Sequence, residues 1–78
     1  MMDTPRILII EDDSETQNKI RDVFTEICCE VLGASSGEEG LKILKNGYKP
    51  HVIILDFILP GMTGPELYKI IKKSDQWI

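Results

Sequence analysis

Apolar residues along the chain alternate between continuous runs and helically spaced stripes. Ile7-Leu8-Ile9-Ile10 is continuous and mostly β-branched, which suits a strand buried on both faces of a parallel sheet. After Glu11-Asp12-Asp13-Ser14, apolar positions recur at Ile20, Val23, Phe24, Ile27 and Cys28. That spacing predicts an amphipathic helix with one buried stripe, capped by Asp13 or Ser14. Glu30-Val31-Leu32-Gly33-Ala34 carries a charge and a glycine, so it predicts a weaker strand at a sheet edge. Ser35 and Ser36 are candidate caps of a second helix, with Glu38 and Glu39 in its first turn, where the helix dipole favours acids. Leu41 and Leu44 carry its stripe and Asn46-Gly47 ends it. Val52-Ile53-Ile54-Leu55 is a third strand, apolar throughout and expected to be central. A loop, Phe57–Gly64, leads to a third helix. Pro65 opens it, and Leu67, Tyr68, Ile70 and Ile71 form its apolar face.

The element order is therefore βαβαβα. It predicts an α/β parallel sheet with right-handed crossovers and strand order 2-1-3, the start of a doubly wound arrangement. At 78 residues with no linker or repeat, a single unit over residues 1–78 is expected.

Composition narrows the function. Nine basic and thirteen acidic residues give a net charge of −4, which disfavours a nucleic-acid surface. No apolar run approaches the roughly 20 residues of a transmembrane helix. The N-terminus has no apolar signal core, and Cys28 and Cys29 stand alone and adjacent. Two reduced thiols packed as small hydrophobes in a cytoplasmic protein are expected.

Chemistry enters at the strand ends. Open parallel sheets bind ligands beyond the carboxyl ends of their strands, where the strand order changes direction. Glu11 and Asp12 follow the first strand and Asp56 follows the third. Asp12 and Asp56 are 44 positions apart, yet neighbouring strands would bring them together. Three carboxylates in one crevice repel one another, and a hard divalent cation such as Mg²⁺ (or Mn²⁺) relieves this through oxygen ligands. A carboxylate there can attack phosphorus and become an aspartyl phosphate. Glu11-Asp12-Asp13 alone reads equally well as helix caps or solvated loop residues; Asp56 alone, followed by a Gly/Pro-rich loop, favours a site, and the joint placement at one switch point favours it further.

The segments Ile7–Asp13 and Val52–Gly64 resemble the acidic pocket and the phosphoacceptor strand and loop of bacterial response-regulator receiver domains. Ala34–Leu41 resembles the start of their second helix, although Gly40 stands where the family usually has Ala. The resemblance covers nearly the whole chain and implies a flavodoxin-like (CheY-like) fold. It implies Asp56 as phosphoacceptor, Asp12 as direct metal ligand, Glu11 as a ligand mainly through water, and the backbone carbonyl of Ile58 as a further ligand. Asp13 is better read as a helix cap. A sensor histidine kinase or histidine phosphotransfer protein is the implied phosphodonor, and no separate substrate is turned over, so the domain is not expected to be an enzyme.

The family pattern continues for two more strands and helices, with a Ser or Thr and a Lys that this chain does not reach. A partial receiver domain that binds metal, accepts phosphate poorly and pairs as a homodimer through its exposed sheet edge or by element exchange is therefore expected. The competing reading is an interaction module that assembles without phosphorylation. A haloacid-dehalogenase-like phosphatase would want a second Asp two residues past the nucleophile, where Ile58 stands. A nucleotide-binding half is disfavoured, since no glycine-rich phosphate loop is present. His51, Tyr68, Trp77 and the Lys69, Lys72, Lys73 cluster are read as structural or solvated.

Overall fold

The computed structural model describes residues 4–73, so Trp77 lies outside the described residues. The strands are β1 (Arg6–Ile10), β2 (Glu30–Ala34) and β3 (Val52–Leu55), interleaved with α1 (Ser14–Glu26) and α2 (Gly37–Lys45). The short β4 (Ile58–Leu59) and β5 (Met62–Thr63) then precede α3 (Gly64–Lys72). The main sheet is parallel in the order β2-β1-β3. The register pairs Ile7 with Val31 and Val52, and Ile10 with Ala34 and Leu55.

Successive strand residues point to opposite faces, and β1 is buried on both. Leu8 and Ile10 join Ala34, Leu44, Leu59, Leu67 and Ile71 in one cluster beneath α2 and α3. Ile7 and Ile9 are also buried and lie on the opposite face, toward α1.

Local signals account for the helix ends. The Asp13 carboxylate accepts from the Thr16 backbone N–H at 2.9 Å. Ser36, rather than Ser35, caps α2 by accepting from the Glu39 N–H at 3.1 Å. Thr63 caps α3 in a reciprocal capping box with Glu66. Pro65 thus falls second in the helix, after Gly64.

Several expectations are corrected. The α1 stripe is not buried: no α1 residue is fully covered, Val23 and Ile27 are 59% and 64% exposed, and Cys28 is exposed in the turn beyond the helix. Helix α1 lies over β1 and β2, and among the described residues no element covers its outer flank. Cys28 is therefore not packed as a small hydrophobe, while Cys29 is half-buried. Strand β3 pairs with β1 alone among the described residues, at the open end that the order 2-1-3 predicts, and its Val52 is 48% exposed. Finally, the loop after Asp56 folds as the β4–β5 hairpin. Pro60 and Gly61 occupy its turn, and Gly61 at φ +81° takes the left-handed position that a type II turn assigns to glycine.

Helix α3 buries Leu67 and Ile71 as expected, but Tyr68 and Ile70 are 51% and 42% exposed. His51 is structural: its Nδ1 accepts the Arg6 backbone N–H at 3.0 Å. Among the described residues no helix is long and apolar enough to cross a membrane.

Candidate metal centre

Two backbone hydrogen bonds assemble the carboxyl ends of the strands. The Asp56 N–H donates to the Ile10 carbonyl at 3.0 Å, and the Glu11 N–H donates to the Ala34 carbonyl at 2.9 Å. Asp56 is thereby held beside the residues leaving β1. Glu11, Asp12 and Asp56 each offer a carboxylate oxygen, and these atoms lie within 4.8 Å of one another. Asp12 is exposed, and Glu11 and Asp56 are half-buried. The three acids expected from the sequence are therefore brought together across 44 positions of chain.

The Glu11 carboxylate reports the crowding. It accepts the Asp13 backbone N–H at 3.1 Å, which by itself lowers its pKa. Partial burial, the Asp56 charge and hydrogen bonds shared with Asp12 and Asp56 outweigh that and hold Glu11 above the ordinary carboxylate value. Asp13 behaves differently: its carboxylate accepts from the Thr16 hydroxyl and backbone N–H and sits below its ordinary value. It is a cap and stands outside the cluster.

A hard, small dication fits this donor set. All donors are anionic oxygens, none is soft, and the open side leaves room for retained water. Ile58 opens β4 with its side chain 71% exposed.

The segment behind Asp56 is tightly backed. Gly64, first in α3, donates its N–H to the Phe57 carbonyl at 2.7 Å. On the outer side, Leu55, Phe57, Pro65 and Tyr68 line an apolar groove of about 360 Å³ that reaches Asp56.

Sequence reasoning missed Gln17. Its side-chain amide donates to the carbonyls of Glu11 and Ala34 at 3.0 and 3.1 Å. Nothing in its spacing marks it, because both acceptors belong to strand ends that only the folded chain places beside α1.

The sequence model of the response regulator receiver domain matches residues 7–78. The chain belongs to this family. A relative, the transcriptional regulatory protein AfsQ1 of Streptomyces coelicolor, is 39% identical over 72 residues, which is 92% of this chain and 32% of that protein. Among solved structures, the response regulator TrrA of Thermotoga maritima in complex with Mg²⁺-BeF superposes with a TM-score of 0.86 at 30% identity, covering 94% of this chain and 63% of that one. The receiver domain of Ssk1, in its complex with the Saccharomyces cerevisiae histidine phosphotransfer protein Ypd1, gives a TM-score of 0.80 at 28% identity, covering 92% of this chain and 49% of that one. The receiver chain here thus spans about a third of AfsQ1 and under two thirds of these solved chains. The flavodoxin-like fold expected from the strand order is the receiver fold.

Proposed function

We propose that this chain is a phosphoacceptor receiver domain in which Asp56 takes a phosphoryl group at a Mg²⁺ site formed with Glu11 and Asp12. The observation that carries the reading is the convergence of three carboxylate oxygens within 4.8 Å at the end of β1 and β3. A carboxylate oxygen of Asp56 attacks the phosphorus of a phosphohistidine, and the P–N bond breaks with its electron pair remaining on the imidazole nitrogen. The product is an acyl phosphate on Asp56. Mg²⁺, when bound, neutralises the crowded acids and the incoming phosphoryl oxygens. Asp12 would ligate directly, Glu11 mainly through water, and the Ile58 carbonyl is the further ligand in this reading.

The donor is a sensor histidine kinase or a histidine phosphotransfer protein. The Ssk1 receiver, which is similar to this chain, is seen with such a protein. A Mg²⁺ titration followed by isothermal calorimetry or by amide shifts tests the site. Binding by the wild-type chain, lost in Asp12→Asn and Asp56→Asn, supports the reading. Equal binding by all three sinks it.

One observation favours assembly as a second property. Strand β3 offers an apolar edge with Val52 half exposed, and Arg6, Lys49 and His51 lie at the opposite end of the sheet from Glu11, Asp12 and Asp56. Antiparallel pairing of β3 with a second copy would set each basic end beside an acidic end.

A further inference from the structure

The chain from Glu11 to Asp12 leaves β1 as irregular backbone, and the two peptide units that flank Glu11 are each held at one end. The Glu11 N–H donates to the Ala34 carbonyl at 2.9 Å. The Glu11 carbonyl accepts from Gln17 Nε2 at 3.0 Å, and the second hydrogen of that amide serves the Ala34 carbonyl at 3.1 Å. Because the peptide is planar, fixing the Glu11 carbonyl also fixes the amide of Asp12. The Cα atoms of both acids lie in that plane, so the points from which their side chains leave are set with it. Gln17 is itself held: its Oε1 accepts from Arg21 Nη2 at 3.3 Å. Gly33 makes room for this pair. A methyl at Gly33 would overlap Gln17 Oε1 and approach Gln17 Cδ at 2.6 Å and Arg21 Nη2 at 2.7 Å.

We propose that Gln17, seated over Gly33 and braced by Arg21, is a positioning residue that sets the Glu11–Asp12 peptide plane and so the cation affinity of the acidic cluster. It touches no reacting atom and acts through the Glu11 backbone. The inference rests on the Mg²⁺ reading of that cluster. A tether that merely joined helix to sheet would affect global stability and leave the acids as they are. A positioning tether affects the acids first.

The test uses the full chain and two variants that attack the tether from opposite sides. Gln17→Leu removes the bonds to both carbonyls, and the one from Arg21 with them, while keeping most of the volume. Gly33→Ala displaces the amide and keeps Gln17. Mg²⁺ affinity is read by titration, and amide exchange at residues 11–13 is read without metal. The expected result is Mg²⁺ binding weakened about 10-fold, the low end for contacts one step out from a metal. Faster metal-free exchange at Glu11–Asp13, with Leu8 still protected, should accompany it. Affinity within two-fold of wild type in a folded variant overturns the proposal. So does a loss of protection across the whole sheet with residues 11–13 affected no more than the rest. If Gln17→Leu fails to fold, Gly33→Ala decides on the same readouts. If the wild-type chain binds no Mg²⁺, the metal reading fails by itself. Metal-free exchange then decides whether Gln17 orders the Glu11–Asp12 peptide.

Discussion

Gly64 sits directly behind Asp56. A methyl built on its Cα would overlap the Asp56 carbonyl oxygen and lie 3.1 Å from Phe57 Cα and 3.2 Å from the Asp56 carbonyl carbon. All of these are backbone atoms, so nothing flexible can yield. Gly64→Ala must therefore push α3 away from the end of β3 or move Asp56 itself. The expected cost is about 1–3 kcal/mol, as for other overpacked sites, measured by urea unfolding, with weakened Mg²⁺ binding in the same variant. Unchanged stability and affinity would show that the approach is not close.

Charge crowding gives a pH-dependent outcome. Glu11 is held above its ordinary pKa because burial and the Asp56 and Asp12 carboxylates outweigh the Asp13 N–H that lowers it. A raised carboxylate pKa means the ionised form is disfavoured in the fold. The penalty is absent below the ordinary value of 4.5 and complete once pH has risen past the folded value. Without metal, Asp56→Asn should stabilise the chain at pH 7 by up to about 1 kcal/mol, the range for partly exposed charges. It should bring the Glu11 titration, followed by NMR, back toward 4.5. Protons should compete with Mg²⁺ as pH falls toward that value. A wild-type Mg²⁺ affinity equal at pH 7 and pH 5 would contradict this.

Gly40 is buried in α2 against Ile10, whose Cδ1 and Cγ1 would lie 2.5 and 3.0 Å from an added methyl. Alanine gains about 1 kcal/mol of helix propensity. Against that, Ile10 is fully buried and has little room to turn aside. Gly40→Ala should be neutral to mildly destabilising by itself. It should be more favourable in an Ile10→Val background, which removes Cδ1. A double-mutant cycle in urea reads the coupling, expected at about 0.5–3 kcal/mol. Strict additivity would mean the two side chains do not compete for the same space.

The β3 edge predicts concentration-dependent association. Light scattering at increasing concentration should show a dimer that weakens in high salt, because basic and acidic strand ends face one another in the proposed pairing. Val52→Lys, at a position already 48% exposed, should favour the monomer without unfolding the chain. A monodisperse monomer at high concentration, or a dimer indifferent to this substitution, would argue against edge pairing.

The strand order and the acidic cluster were legible because both rest on local signals. Continuous β-branched runs marked β1 and β3, and acids placed immediately after them could only meet at the strand ends. Caps were legible for the same reason: Asp13 and Ser36 each act on residues three positions away. The α1 stripe misled because periodicity shows that a face is apolar and says nothing about whether a neighbour covers it, and Val23 and Ile27 stand open. The hairpin at Pro60-Gly61 leaves no strand signal in the sequence because its strands are only two residues long. Gln17 was invisible because its role depends on Glu11, Ala34 and Gly33 converging in space.

Intact mass spectrometry reads the transfer of a phosphoryl group to Asp56. The chain would be incubated with acetyl phosphate or with a phosphorylated histidine phosphotransfer protein, with Mg²⁺ or with chelator. The expected result is a gain of one phosphoryl mass that requires Mg²⁺, is labile to hydroxylamine and is absent in Asp56→Asn. A gain that persists in Asp56→Asn, or no gain from a chain that binds Mg²⁺, would contradict the assignment of Asp56 as the acceptor in this chain.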